Sequence, residues 1–317
     1  MNKSFDASGA QFAWDSTSLK TADECLRKYF YKNIEGWSAP TKSFHLRFGA
    51  IYATALEHYT KFVAAGMPRE EAIVSVVHEA LISSWDYAYR TPEGAAKQDP
   101  DERIPGSGHA WETGDSNKTR STLIRTIVWY FEHFEEDLPV IILSDGRPAV
   151  EYSFSLPVEN GIMLCGHIDK LVTFGDSPMI LDQKTTKSTV GPYYFDQYTP
   201  DTQMSLYTYA GSIIYNLPIK GVMIDAAQIA IGFSRFERGF AFRTETQLQE
   251  WYEGAMHTIE RARKATAERY LPMNTTACGN YGGCEFRAIC SRSPEVRETF
   301  LKGNFTKGAT WDPIERR

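Results

Sequence analysis

Two acidic residues and a lysine in the middle of the sequence have the types and spacing that could cleave a phosphodiester. Asp182 and Lys184 lie two residues apart, and Asp169 precedes them. Because side chains alternate along a strand, Asp182 and Lys184 would share one face. The turn residues 175–178 would fold the chain back and place Asp169 roughly opposite Asp182. Carboxylates are suitable ligands for Mg²⁺ or Mn²⁺, so we predict a divalent-metal site here.

Each group has a distinct chemical use at such a site. A bound cation can activate water and neutralise the charge that develops on a phosphate. Lys184 could position the attacking water, assist its deprotonation or stabilise the transition state. The backbone carbonyl of Gln183, between the acid and the lysine, is well placed as another metal ligand. The alternative is an ordinary salt bridge on the surface of a β-hairpin.

Four of the five cysteines form a second chemical signal. Cys278, Cys284 and Cys290 follow one another at equal spacing, and Cys25 lies far upstream. Four thiolates are the usual complement of one zinc ion or iron–sulfur cluster. We therefore predict a structural metal centre that ties distant parts of the chain together, with scattered free thiols as the alternative. Cys165 lies in an apolar strand and is predicted to be a buried core thiol.

The elements that must position these residues follow from the hydrophobic pattern, which predicts a mixed α/β core with a helical N-terminal layer. A first helix is predicted to begin at Thr21 in a capping box. Further helices are predicted at about 46–65, 69–87, 119–136, 203–214 and 245–269. Strands are predicted at 151–156, 162–174 and 179–184, with two more within 220–243. Residues 1–15 are predicted to be a loose leader and 91–118 a long loop.

Composition and charge narrow the function classes. The chain has 317 residues, of which 42% are hydrophobic and 23% charged, with a net charge of −6. The acidic balance argues against coating of nucleic acid by the whole surface, but it allows a local basic groove. The sequence shows no long apolar run and no signal-peptide core, so we expect a cytoplasmic protein without membrane contact, in the host cytoplasm if phage-encoded. An ATP motor is not expected without a phosphate loop.

The motifs resemble those of a known family. Residues 166–169 and 180–187 are similar to the signature of PD-(D/E)xK nucleases, and more narrowly to the RecB-type exonuclease branch. Residues 16–19 loosely match the serine-containing helix that often opens this branch. Gln203 and Tyr207 match its Gln-xxx-Tyr helix, where a spacing of four residues puts both side chains on one face. The sequence looks closest to CRISPR-associated and phage exonucleases that carry iron–sulfur clusters.

The resemblance implies a restriction-endonuclease-like core that acts on DNA, with linear or single-stranded ends as substrate. By resemblance, Asp169, Asp182 and Lys184 would be catalytic, and Gln203 and Tyr207 would place the substrate. It also favours a [4Fe–4S] cluster over Zn²⁺ on the four cysteines, although relatives often have a Cys-x2-Cys-x5-Cys spacing. Proteins of recombination, replication or defence are the implied partners.

We predict three regions in the chain. Residues 1–147 would form a helical region packed on the core, 148–270 the nuclease core, and 271–317 a cysteine-rich segment that closes the metal centre with Cys25.

One position departs from the family pattern. Members often carry a metal-binding histidine in a Gly-xxx-His motif, and Ala53 stands at this position in residues 49–53. His58 would be rotated away on the helix, whereas Glu57 would lie closer to the correct face. A catalytically weak or inactive DNA-binding or scaffold protein is therefore our second hypothesis. A zinc-stapled protein-interaction module is the third.

Several other residues are candidates with a structural alternative. Glu151 and His167 could approach the metal, but structural roles are the favoured interpretation. Two groups of basic residues could track DNA phosphates or simply form solvated helix faces. They are Arg27, Lys28 and Lys32 beside Tyr29 and Phe30, and Arg261, Arg263, Lys264 and Arg269.

Overall fold

The computed structural model describes residues 4–6, 9–40, 44–91, 94–95, 99–308 and 310–314. The helices are α1 (Ser16–Glu24), α2 (Leu26–Tyr29), α3 (Phe44–Ala64), α4 (Arg69–Ser83), α5 (Arg120–His133), α6 (Pro192–Asp196), α7 (Thr202–Tyr215), α8 (Glu245–Ala267), α9 (Arg287–Cys290) and α10 (Pro294–Asn304). The strands are β1 (Ala13–Trp14), β2 (Trp37–Ser38), β3 (Trp85–Asp86), β4 (His109–Ala110), β5 (Val150–Pro157), β6 (Met163–Phe174), β7 (Ser177–Thr186), β8 (Gly221–Ile229), β9 (Ser234–Phe242) and β10 (Thr306–Lys307).

One mixed sheet of six strands forms the centre of the molecule. Its order is β1-β6-β7-β8-β9, and β5 also pairs with β6. β6 and β7 form an antiparallel hairpin whose turn contains Gly175 at φ +57°, in the left-handed region that favours glycine. β7 and β8 are parallel, so the chain must cross over between them, and α6 and α7 make this crossover.

Helices cover both faces of the sheet. α1, α7 and α8 pack on one face in an apolar core that includes Leu19, Leu206 and Ile259. α3, α4 and α5 supply a second core on the other face, which includes Leu56 and Ile127. Every residue of β8 is buried, as expected for a central strand that is covered on both sides. The predicted mixed α/β core is therefore confirmed. None of the helices in the described part of the chain combines the length and the apolarity needed to cross a bilayer.

The beginning of the chain differs from the prediction. α1 starts at Ser16 rather than Thr21, because Asp15 caps it and Ser18 completes the capping box. The Thr21 hydroxyl instead donates to the Thr17 carbonyl inside the helix, at 2.7 Å. The prediction of a loose leader was wrong for β1, which is buried and pairs in parallel with the start of β6.

Two further segments differ from or extend beyond the prediction. α4 ends at Ser83, and the next residues form β3, which pairs with β4 inside the predicted long loop. Residues 92–93 and 96–98 of that loop lie outside the described residues. The three predicted regions remain a prediction, although β1 shows that the N-terminal region contributes a strand to the central sheet.

The segment that follows α8 returns to the first helices. The Arg27 amide donates to the Pro272 carbonyl at 3.1 Å, and its side-chain Nε donates to the Leu271 carbonyl at 2.7 Å. The Asn274 side chain donates to the Glu24 carbonyl at 2.8 Å. The predicted contact between the cysteine-rich segment and the first helix is confirmed.

Candidate active site

The hairpin of β6 and β7 opens where the acidic residues lie. Its last backbone pair is Lys170 with Leu181, so the next position puts Asp169 directly across from Asp182. The Gln183 amide donates to Asp169 Oδ2 at 2.7 Å, so a carboxylate replaces the carbonyl that would continue the ladder. The predicted placement of Asp169 opposite Asp182 is confirmed.

The lysine links this hairpin to α7. Lys184 Nζ lies 2.5 Å from Asp182 Oδ2 and donates to Gln203 Oε1 at 3.2 Å. Gln203 Nε2 in turn donates to the Tyr207 hydroxyl at 3.1 Å. Asp201 caps the start of α7 and thereby places Gln203 in its first turn. The structure therefore joins the predicted catalytic and substrate-binding side chains in one continuous network.

This network contains two carboxylic acids, Asp169 and Asp182, and one amine, Lys184. Burial and the carboxylate of Asp182 raise the pKa of Asp169 to about 8. Burial acts to lower the pKa of Lys184, but the carboxylates of Asp182 and Asp169 outweigh it and raise that pKa. Asp182 is buried, and its Oδ2 contacts the Lys184 ammonium. Buried oxygens with an excess of negative charge fit a cation.

The backbone adds a further oxygen to this edge. Because the Gln183 amide points towards β6, the carbonyl of the same residue points to the same open edge of β7. Within the described ranges, no three His, Cys, Asp or Glu side chains converge closely enough to hold a metal ion. The described chain therefore supplies two carboxylates and a backbone carbonyl at this point.

Glu151 lies closer to the acids than the sequence indicated. It sits in β5 between the pairs Val150–Lys170 and Tyr152–Ile168, and therefore faces Asp169 across the strands. Its charge contributes to the raised pKa of Asp169. Its φ of +49° is a left-handed conformation that costs a non-glycine residue about 1 kcal/mol. Sequence reasoning favoured a structural role for Glu151 and did not assign it to the site. A local sequence pattern gives no signal for backbone strain.

A cleft of about 310 Å³ opens beside the acids. Ala53 and Glu57 of α3 line it, together with Tyr207 of α7. Trp311 and Asp312 also line it, and their sequence carries no motif that would have predicted this. The alanine at the usual histidine position therefore does face the cleft.

Two histidines contact neighbouring side chains of the protein, which gives each of them a structural role. His58 Nδ1 lies 2.6 Å from Glu79 Oε2 of α4, as expected for a histidine turned away from the site. His167 Nδ1 lies 2.7 Å from the Ser153 hydroxyl of the neighbouring strand β5. The glycine before His167 has a steric reason, because a Cβ at Gly166 would meet the Phe154 ring at 3.0 Å.

The four predicted cysteine ligands lie in one region near the junction of α1 and α2, but no three of them converge at metal-binding distance among the described residues. The Asn274 amide donates to Cys25 Sγ at 3.3 Å, and the Cys284 amide donates to the Cys278 carbonyl at 3.0 Å. Burial raises the pKa of Cys284, and the nearby Cys25 and Cys278 raise it further. Burial likewise raises the pKa of Cys290, with Cys25 and Cys284 as neighbours.

The sulfur donors of these four cysteines are of a type that suits a metal centre. Thiols from two distant segments are close enough to affect one another's pKa, and thiols are the donors that zinc and iron–sulfur clusters require. Gly282 and Gly283 have φ of +86° and +112°, so glycine is needed where the backbone turns between two of the cysteines. Cys165 lies apart from the group in β6 and is fully buried, as predicted.

Several residues of the two predicted basic groups form ion pairs or hydrogen bonds within the protein. Lys28 pairs with Glu24 at 2.7 Å. Arg261 lies 3.2 Å from Asp23, and Arg263 donates to Asp6 at 3.4 Å. These contacts favour the alternative that was weighed against DNA binding.

The open hairpin, its acids and its lysine are the features of a nuclease fold. A family model of the PD-(D/E)XK nuclease superfamily matches residues 14–291. The chain therefore belongs to this superfamily and is a nuclease. Members of the superfamily typically use Mg²⁺ or Mn²⁺ and act on DNA. No curated protein sequence is significantly similar to the chain.

Two solved structures show a distant likeness. One is described as "Putative exonuclease" from Eubacterium rectale and is 11% identical, with 89% of each chain covered and a TM-score of 0.45. The other, SSO0001, is also 11% identical, with 78% of this chain and 76% of that chain covered and a TM-score of 0.29. Both scores lie below 0.5, so neither likeness supports a conclusion about function.

Proposed function

We propose that this nuclease is a DNA exonuclease that depends on Mg²⁺ or Mn²⁺ and cleaves phosphodiester bonds at DNA ends. One observation carries the proposal: Asp169 and Asp182 face each other where the hairpin opens, with the Lys184 ammonium 2.5 Å from the buried Asp182. The outward carbonyl of Gln183 adds an oxygen at the same edge. These donors suit a hard divalent cation.

The chain's own residues have separate roles in this reaction. Asp169, Asp182 and the Gln183 carbonyl would hold the cation, which supplies Lewis-acid stabilisation of the phosphate and a more acidic water when bound. Lys184, kept charged by the two acids, donates hydrogen bonds to the oxygen on which charge develops. Gln203 fixes the ammonium through its amide oxygen.

Tyr207 supports this arrangement from the next turn of α7. Its hydroxyl accepts a hydrogen bond from Gln203, and its ring packs edge-on against Phe154 of β5. We assign Gln203 and Tyr207 to the placement of substrate beside Lys184. Both residues line the cleft, where a DNA strand would approach the acids.

The test of exonuclease action compares linear and circular DNA. Purified protein with Mn²⁺ should shorten end-labelled linear DNA and leave a covalently closed circle of the same sequence intact. Asp182→Ala should abolish the shortening, whereas Asp176→Ala, in the hairpin turn, serves as the matched control. Equal degradation of the circle would remove the end-dependent assignment, and equal degradation by Asp182→Ala would remove the site.

We further propose that Cys25, Cys278, Cys284 and Cys290 bind a [4Fe–4S] cluster with a structural role. The proximity of these thiols near the junction of α1 and α2, and the cysteine donor type, support this proposal. Protein prepared without oxygen should show broad visible absorption and contain iron. Cys290→Ser should lose the absorption, and Cys165→Ser, which removes the buried thiol outside the group, should keep it. A colourless protein that contains zinc would support the zinc alternative.

A second function rests on Ala53. An alanine lines the cleft where family members often place a metal-binding histidine, which supports a DNA-binding or scaffold protein with weak catalysis. This alternative predicts DNA binding without cleavage in either Mg²⁺ or Mn²⁺. Cleavage by the wild-type protein that is lost in Asp182→Ala would rule it out.

A further inference from the structure

A buried lysine without an acidic partner lies close to the acids. Lys118 lies two residues before the start of α5 and is only 4% exposed. Its ammonium lies 3.1 Å from the Thr185 hydroxyl and 3.4 Å from the Thr185 carbonyl, and 5.2 Å from the centre of the Phe48 ring. Among the residues that the structure describes, Lys118 forms no ion pair. A buried ammonium that hydrogen-bonds only to neutral oxygens is costly for a fold and is suited to an incoming anion.

The position of Lys118 relative to the acids follows from strand geometry. Gln183 and Thr185 are two residues apart on β7, so their carbonyls point to the same edge of the strand. The Gln183 amide on that edge bonds to Asp169, and the Thr185 carbonyl on that edge bonds to Lys118. With a rise of about 3.3 Å per residue, the two carbonyls lie roughly 7 Å apart. Lys118 is therefore a direct neighbour of the open edge that carries the acids.

A second lysine strengthens the positive charge at this place. Lys187 Nζ lies 2.7 Å from Asp115 Oδ2, and its side chain is 43% exposed. The other oxygen of Asp115 accepts hydrogen bonds from the amides of Asn117 and Lys118. Asp115 therefore neutralises one lysine and leaves the other uncompensated. Burial and the positive charge of Lys187 lower the pKa of Lys118 to about 8, as expected for an amine held near a like charge.

We propose that Lys118, Lys187 and the Thr185 hydroxyl form a phosphate-binding subsite that holds the phosphodiester adjacent to the one that is cleaved. The ligand is a backbone phosphate of the DNA strand, and the two ammonium groups and the hydroxyl would donate to its oxygens. This subsite fixes the register of the strand along the open edge of β7. The inference rests on the nuclease function proposed above.

The test measures binding rather than cleavage. The affinity of the full-length protein for a fluorescent single-stranded oligonucleotide is measured in EDTA over a series of salt concentrations. Lys118→Gln should weaken binding about tenfold and reduce the slope of log affinity against log salt by about 0.7, the value for one phosphate contact on a single strand. Lys302→Gln, which removes an exposed lysine paired with Glu298 on α10, should change neither quantity.

A second variant separates phosphate binding from a structural role. Asp115→Asn keeps the oxygen that accepts from the two amides but removes the negative charge that occupies Lys187. It should therefore bind the oligonucleotide several-fold more tightly, because Lys187 becomes available to phosphate. A purely structural Asp115–Lys187 pair would give unchanged or weaker binding, and that result would overturn the subsite even if Lys118→Gln failed to fold.

The outcomes also separate this subsite from the proposed function. Metal-dependent cleavage together with wild-type affinity and salt slope in Lys118→Gln would remove the subsite and leave the nuclease assignment intact. Binding that depends on Lys118 without any cleavage in Mn²⁺ would leave the subsite intact and remove the exonuclease assignment.

Discussion

The central sheet contains two buried ionic clusters that differ in their charge balance. The first is the site cluster, in which Asp169 and Asp182 share Lys184. The second, which we name the Arg238 cluster, consists of Asp137, Asp225, Lys170, Arg238 and the hydroxyl of Tyr130. Arg238 lies 2.6 Å from Asp137 and 3.3 Å from Asp225, and Lys170 lies 3.7 Å from Asp137.

The two clusters lie on opposite faces of the sheet, since Lys170 of one follows Asp169 of the other on β6 and successive side chains of a strand point to opposite faces. The Arg238 cluster pairs two acids with two bases, and the Tyr130 hydroxyl donates to Asp225 at 2.6 Å. The site cluster has two acids and a single base, Lys184, whose ammonium lies 2.5 Å from Asp182. A balanced buried cluster stabilises the fold as it stands, whereas an unbalanced one is suited to a ligand of opposite charge.

The largest expected difference between the two clusters is in the rate of DNA cleavage. Asp182→Ala removes a proposed metal ligand and should lower the rate of DNA cleavage about a thousandfold, since metal stabilisation of the transition state contributes several kcal/mol. Asp225→Ala, on β8 opposite Gln183, should retain cleavage per folded molecule. Single-turnover rates on end-labelled DNA, normalised to the folded fraction from circular dichroism, measure both. Similar losses in the two variants would erase the distinction between the clusters.

The second contrast concerns stability. Arg238→Met leaves the buried carboxylate of Asp225 without its cationic partner, so the free energy of unfolding should fall by about 3–5 kcal/mol. Urea denaturation followed by tryptophan fluorescence gives this value. Arg235→Met, on the same strand but largely exposed, is the control and should change stability by less than about 1 kcal/mol. A loss for Arg238→Met no greater than that of the control would contradict a structural role.

A third prediction is that two isosteric substitutions, one in each cluster, shift the free energy of unfolding in opposite directions. Asp182→Asn removes one of two like charges and should raise the free energy of unfolding in EDTA by about 1–2 kcal/mol. Asp225→Asn removes the partner of Arg238 and should lower it by about 1–3 kcal/mol. Urea denaturation at about pH 9, above the pKa of about 8 of Asp169 so that both acids of the site are charged, measures both. Shifts in the same direction would show that the imbalance has no energetic cost.

The smallest effect concerns the ligand set of the site cluster. Ala53→His places an imidazole on the wall of the cleft and should lower the Mn²⁺ concentration for half-maximal cleavage by about tenfold. Val63→His lies on the same helix, at an exposed position away from the cleft, and should leave that concentration unchanged. A shift of equal size in both variants would indicate a general effect of added histidine.

The sequence predicted the hairpin well and its surroundings less well. The acids of the site lie on strands whose alternation and turn are local patterns, so their opposition could be predicted from residues 162–184 alone. The start of α1 was predicted wrongly because Thr21 with Glu24 matches a capping box as closely as Asp15 with Ser18 does. Only tertiary packing decides between two such local patterns.

Long-range partners explain what the sequence could not predict. Lys118 lies in a loop and gains its position only through contact with Thr185 on β7. β1 enters the sheet because it pairs with a strand that begins at Met163. Neither contact has a signature in the neighbouring residues, whereas the four cysteines could be grouped in advance because their residue type itself suggests a shared ligand.

The left-handed backbone at Glu151 has a practical consequence for protein engineering. Glycine adopts this conformation without cost, so Glu151→Gly would relieve the local strain and remove a third negative charge beside Asp169. A directed-evolution campaign that rewards heat tolerance alone would therefore accumulate glycine at this position. Libraries for a robust laboratory enzyme should keep residue 151 fixed or be screened on DNA turnover in the same round.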